Sequence, residues 1–181
     1  MTRTAAAPDS ARSWLAKVAA DVERAESVVG GSPRIASSSP AYCAALVVKG
    51  RLSREDEAAG RAFAGPDGEA VRKALAALGV PGEPFLAVTR PTAKANEDLE
   101  AAARRICELA HAVEAEIVLA LDPVAADDVA RAFGLQELKP GEPVDVPGFR
   151  LLATNDFAAA LADERAKRAV WRQLKALAKG R

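Results

Sequence analysis

Three groups of residues in this 181-residue chain carry side chains suited to chemistry. Glu55, Asp56 and Glu57 are consecutive carboxylates, the residue type that places a water or takes up a proton, although such a run also reads simply as a solvated loop. Gly60-Arg61-Ala62-Phe63-Ala64-Gly65-Pro66-Asp67-Gly68 sets one aromatic ring among glycines, as a demanding turn or a pocket would require. The third group is cationic. Lys49, Arg51, Arg61 and Arg90 lie between the apolar segments. From Arg165 to Arg181 the chain holds Arg165, Lys167, Arg168, Arg172, Lys175, Lys179 and Arg181 and no acidic residue. That last run reads either as a solvated helix face or as a strip that meets phosphate.

The remaining reactive types point away from chemistry. His111 is the only histidine and has no second ligand at metal-binding spacing, so it is not read as a metal ligand. Cys43 and Cys107 are the only cysteines. They read as small core residues and reduced thiols of a cytosolic protein, not as nucleophiles. Asp156 stands just before a short apolar run and reads as a helix cap.

These residues must be positioned by alternating elements. Ala44-Ala45-Leu46-Val47-Val48 is short and wholly apolar, as a strand buried on both faces is, and Pro84 to Thr89, Glu116 to Leu121 and the segment around Arg150-Leu151-Leu152-Ala153 read as three further strands. Between them run helical patterns: Ser10 to about Val29, a helix capped by Asp67 and ended by Gly79, about Asn96 to Val113, and Asp122-Pro123 to Phe133. Residues from Ala159 onward are read as helical, with the last helix spanning roughly Asp163 to Lys179 and Trp171 as its core anchor. Lys49 to Pro66 reads as one long loop. Strands alternating with amphipathic helices predict a three-layer α/β/α fold around a central four-stranded parallel sheet. In such sheets ligands bind beyond the carboxyl ends of the strands. Those ends are 49–65, 89–94, Asp122 and 154–158.

Size and charge set bounds. A single domain over residues 10–181 with a flexible arm at 1–9 is expected, and a chain of this length buries about 70% of its unfolded surface without needing a disulfide or metal. Lys plus Arg and Asp plus Glu both number 25, so the formal net charge is zero and no strongly basic nucleic-acid binder is indicated by totals. The first residues lack the apolar core of a signal peptide, and no apolar run approaches a membrane span. A cytoplasmic protein is expected.

The Gly60–Gly68 stretch resembles the pocket loop of uracil-DNA glycosylases of the iron–sulfur type (family four), which reads Gly-Arg-Pro-Phe-Val-Gly-Arg-Ala-Gly. In that family the loop follows a first strand by about a dozen residues, as it follows Ala45–Val48 here. The family's third strand, like Val-Ile-Val-Ala-Leu-Gly, is similar to Ile117-Val118-Leu119-Ala120-Leu121-Asp122. Its His-Pro-Ser and later Trp correspond to Asp156-Phe157-Ala158 and Trp171. The resemblance covers about residues 44–175 and implies a uracil-DNA glycosylase-like fold, with Phe63, Gly60, Gly65, Asp156, Glu55 and Asp56 as candidate pocket residues.

What the resemblance implies for activity is mostly loss. The family's cluster cysteines fall near Thr89 and Ala102, and no early Cys-x-x-Cys exists, so no iron–sulfur cluster and no other cofactor is expected. The base-reading Asn falls among Phe85 to Ala87. The motif-one acid falls near Gly50, where only Glu55, Asp56 or Glu57 from a shifted loop would substitute. The His that donates a hydrogen bond to the departing base becomes Asp156, and an ionised carboxylate only accepts. Losing one such stabiliser costs about 100- to 1000-fold in rate. The expected function is therefore a catalytically deficient, uracil-DNA glycosylase-like protein, binding nucleic acid or serving DNA repair as an accessory protein. Its expected partners are DNA, through Lys49, Arg51, Arg61, Arg90, Arg168 and Arg172, or a protein of a repair complex. The alternatives are an active glycosylase with a rebuilt site, in which Glu55 or Asp56 places water and Arg51 or Arg90 stabilises the base anion, and a protein-interaction module.

Overall fold

A computed structural model describes residues 9–29, 43–91 and 98–178. The element order is α1 (Asp9–Ser27), β1 (Ala45–Lys49), α2 (Arg54–Ala59), α3 (Pro66–Ala77), β2 (Phe85–Val88), α4 (Leu99–Ala112), β3 (Ile117–Ala120), α5 (Pro123–Ala132), β4 (Val144–Val146), β5 (Phe149–Ala153), α6 (Phe157–Ala160) and α7 (Glu164–Leu174), with a 3-10 turn at Lys175–Ala178. Except for Asp9, which opens α1, the expected arm lies outside the described residues.

The sheet runs β2-β1-β3-β5-β4. β2, β1, β3 and β5 pair in parallel, and β4 adds to β5 antiparallel. The expected four-stranded parallel sheet is thus corrected to a five-stranded mixed one. The reason is local. Pro147-Gly148 forms a two-residue connection in which Gly148 takes φ +88°, a conformation that glycine adopts without strain, and Val146 then faces Phe149. The Val-Asp-Val segment before it alternates, with Asp145 exposed, so it belongs on an edge where one face meets solvent.

Strand residues alternate between two cores. Leu46, Val48, Phe85, Ala87, Val118, Ala120, Leu151 and Ala153 pack with Ile106, Leu109, Ala125 and Val129, the inner faces of α4 and α5. Ala45, Val47, Leu86, Val88, Leu119 and Leu152 pack with Val71 and Leu75 of α3, Phe157 of α6, and Val170 and Leu174 of α7. Helices therefore cover both faces, which is why the strands show no polar alternation. Among the described residues no helix is long and apolar enough to cross a membrane.

Two helical expectations change in detail. The segment read as one loop contains α2, because Ser53 accepts from the Asp56 N–H while Asp56 accepts from the Ser53 N–H, a complete capping box. Asp67 is not the cap of α3. Gly65 holds that position and Pro66 takes the first turn, where its missing N–H costs nothing.

Beside its apolar contacts and a Trp14 hydrogen bond to Glu114, α1 is tied to this framework by a buried ion pair. Arg105 of α4 is fully buried; its Nε and Nη2 donate to Glu26 at 2.9 and 2.8 Å, and its Nη1 donates to the Val88 carbonyl at 2.6 Å. Removing one partner of such a pair strands the other charge in a medium that solvates it poorly. Glu26→Ala is expected to destabilise the fold by about 3 kcal/mol, read from urea unfolding. A loss under about 1 kcal/mol, the scale of an exposed pair, would show that α1 is held by its other contacts alone.

Candidate functional site

β1 and β3 are neighbours whose outgoing connections diverge, since β1 leads toward β2 at one edge and β3 toward β5 on the other side. Chains that part in opposite directions leave a crevice between them. Here the crevice is a cleft of about 760 Å³ beyond the carboxyl ends of β1 and β3. Leu52, Phe63, Leu121, Val124, Phe157 and Leu161 give it apolar walls, and Lys49, Arg51, Glu55, Asp67, Asp122 and Asp156 bring charge to it.

Lys49, the last residue of β1, is 6% exposed. Its Nζ donates to Asp67 Oδ2 at 2.6 Å and lies 2.6 Å from Asp56 Oδ2. A buried ammonium is tolerable only with such partners. Asp56 is itself fully buried; its Oδ1 accepts from the Ala64 N–H at 2.9 Å and its Oδ2 from the Ser53 N–H at 3.0 Å. Burial pulls the Asp56 carboxyl upward, but Lys49 and the two backbone donors outweigh it and hold the group below the usual carboxylate range. The trio carries one net negative charge, so Lys49 offers no uncompensated positive site to an anion.

The Phe63 loop is built on this trio. Phe63 takes φ +55°, a conformation disfavoured for a residue with a side chain. It persists because its surroundings over-determine it. Asp56 grips the next N–H, at Ala64. Gly68 lies so close that a Cβ there would sit 2.2 Å from the Phe63 carbonyl oxygen, and the Lys49 ammonium lies 4.6 Å from the ring centroid. The ring is 2% exposed. It lines the cleft but presents little surface for a base to stack upon.

The other carboxylates are partly committed as well. Asp122 caps α5 through Oδ1, which accepts from the Ala125 N–H at 2.8 Å, while Oδ2 accepts from the Gly50 N–H at 2.7 Å. Gly50 allows this approach, because a Cβ there would meet Val124 at 2.5 Å. Asp156 caps the four-residue α6, its Oδ1 accepting from the Ala159 N–H at 2.9 Å. Glu55 is exposed at the mouth; a hydrogen bond from its own backbone N–H, then the Ser53 hydroxyl, holds it below its ordinary range.

Of the pocket residues expected from sequence, Phe63, Gly65, Asp156 and Glu55 line one cleft. Asp56 lies buried behind it, and Gly60 is the exposed left-handed cap of α2. The expected cations scatter. Lys49 and Arg51 line the cleft, whereas Arg90 clasps Asp128 of α5 through Nε at 3.0 Å and Nη2 at 2.9 Å. Arg61, Arg168 and Arg172 are exposed away from the cleft, and Arg168 Nε donates to the Glu164 carbonyl at 3.2 Å. Sequence reasoning missed the pairing of Asp67 with Lys49. The proline before it was the available signal, since Pro66 at the first helical position leaves Gly65 as the cap and releases the aspartate side chain.

The donor set does not fit an iron–sulfur cluster. Cys43 and Cys107 are the only two cysteines where four thiolates are needed; burial pushes the Cys43 thiol up to about 11, and burial with Glu108 also raises Cys107. Thr89 donates to Asp128, and Ala102 has no donor atom. Among the described residues no group of three or more His, Cys, Asp or Glu is placed to hold a metal ion. No family model and no curated protein matches the chain.

Lys49→Met would leave Asp56 and Asp67 facing one another without a counter-charge. At neutral pH a loss of about 3–5 kcal/mol is expected. In the variant, burial and mutual repulsion raise the pKa of at least one carboxylate above its unfolded value. The variant should therefore recover stability relative to the parent as pH falls from about 7 to 5. Urea unfolding at both values checks it; an equal deficit at each would show that the aspartates are not the source.

Proposed function

We propose that this chain is a catalytically deficient, uracil-DNA glycosylase-like protein of the cytoplasm that binds nucleic acid or serves DNA repair as an accessory protein, its cleft a binding site in which nothing is cleaved. The observation that carries this reading is the engagement of its carboxylates. Asp56 is sealed under the Phe63 loop with three donors, Asp122 is used at both oxygens, and Asp156 stands capped where departure of a base would call for a hydrogen-bond donor. The resemblance is supported by convergence, since the Phe63 loop, the end of the third strand at Leu121-Asp122, and Asp156 all line one cleft.

The rebuilt-glycosylase reading loses two of its four residues. Asp56 is too deeply buried to meet a substrate water, and Arg90 is clasped by Asp128. The protein-interaction reading gains from one observation: four carboxylates face the cleft against two cationic side chains. Phosphate contact then falls to exposed cations outside it, on Arg61, Arg168 and Arg172.

Oligonucleotides carrying uracil, hypoxanthine or xanthine, treated with the protein and then with alkali, are expected to show no scission above background. Scission that vanishes in Glu55→Gln would overturn the claim of lost catalysis. In anisotropy titrations, single-stranded DNA should bind weakly and dissociate as salt rises from about 50 to 200 mM. Arg168→Ser with Arg172→Ser should weaken that association. Binding unchanged by salt and by both substitutions would remove the nucleic-acid part and leave the interaction module.

A further inference from the structure

Charge, shape and lining of the cleft bear on what it would hold. We propose that the cleft is a site for an organic cation, an ammonium or guanidinium group carried on a flat or branched apolar body. This deepens the binding reading above and rests on it.

Three features argue for that chemistry. The first is size, since about 760 Å³ lies within the range of small-molecule sites. The second is the wall, because Leu52, Phe63, Leu121, Val124, Phe157 and Leu161 offer apolar contact to a ligand body. The third is charge complementarity. Of the cationic side chains facing the cleft, Lys49 is already outweighed by Asp56 and Asp67, which leaves Arg51 against Glu55, Asp122 and Asp156. Asp122 has both oxygens occupied by backbone N–H groups, so it contributes field and not a ligand contact.

Glu55 and Asp156 are different. Both are exposed. Asp156 spends Oδ1 on the Ala159 N–H and lines the cleft with Phe157 and Ala158. Glu55 reaches the cleft from α2, which the capping box and the Lys49 trio hold in place. Two carboxylates at the mouth of an apolar cavity favour a ligand whose charged end stays near water while its body enters. The same carboxylates repel an anion of identical shape, which makes charge the discriminating property.

Benzamidine and benzoate share a ring and differ in the sign of the appended group, so they serve as probes, with uracil as a neutral planar control. Binding is followed by amide chemical shifts of the labelled protein, which place each probe by the signals of 121–124 and 157–161. Benzamidine is expected to bind at least about tenfold more tightly than benzoate or uracil, and to weaken as salt rises. Asp156→Asn retains an amide oxygen for the α6 cap, and Glu55→Gln keeps the side-chain shape. Each should weaken benzamidine about two- to fivefold, with signals elsewhere unchanged. Benzoate or uracil binding as well as benzamidine would overturn the proposal while leaving the cleft a binding site. Benzamidine binding that neither substitution weakens would also overturn it. If no probe shifts the cleft signals, the organic-cation site fails, while the salt-dependent DNA titration decides the nucleic-acid reading separately.

Discussion

The buried ammonium of Lys49 is the constraint around which the ligand end of this protein is arranged. β1 is covered on both faces, and its final residue, Lys49, is only 6% exposed where it meets the cleft. A lysine there is tolerated only if carboxylates come to it. Asp56 must therefore arrive from α2 and Asp67 from α3, which fixes both helices against the strand end. The chain between them has little freedom left. Phe63 accepts a left-handed backbone because Asp56 holds the following N–H and Gly68 leaves room for its carbonyl. One electrostatic requirement at a strand end thereby sets a loop, a ring and one wall of the cleft.

The same requirement decides what that wall can do. Aspartates that neutralise Lys49 are not available to activate water, and Lys49 is not available to hold a phosphate. Asp122 and Asp156 are bound in a similar way, as caps whose oxygens accept from helix N–H groups. Cap and counter-ion are structural uses of a carboxylate, and each lowers the chance that the group also takes part in proton transfer. What is left over is a cleft with apolar walls and an acidic mouth.

On the opposite face of the sheet, buried ion pairs join elements to one another. Arg105 joins α1, α4 and β2 through Glu26 and the Val88 carbonyl, while Arg90 and Thr89 tie the end of β2 to Asp128. Glu26 and Arg105 lie in segments that read from the sequence as ordinary amphipathic helices, and Arg90 reads as a loop cation. Their partners are distant in the chain and meet only after the sheet has formed.

Much of the architecture was legible because it rests on local pattern. Short apolar runs bounded by glycine and proline gave the four parallel strands their places, and caps such as Asp122 before Pro123 marked helix starts. Of the six residues that the resemblance grouped as a pocket, Glu55, Phe63, Gly65 and Asp156 line one cleft, whereas Asp56 is buried behind it and Gly60 is exposed at the end of α2. Less legible were β4, which needs its partner β5 to be a strand at all, and α2, whose six residues look like a charged loop until the capping box closes. The amino-acid sequence by itself determined alternation, period and cap chemistry, since these depend on neighbours a few residues apart. Tertiary structure alone decided that Asp56 would be sealed, that Asp67 would serve Lys49 and that Arg90 would be clasped. The energy of a charge depends on the burial and partners it meets in space, and those partners come from elements far removed along the chain.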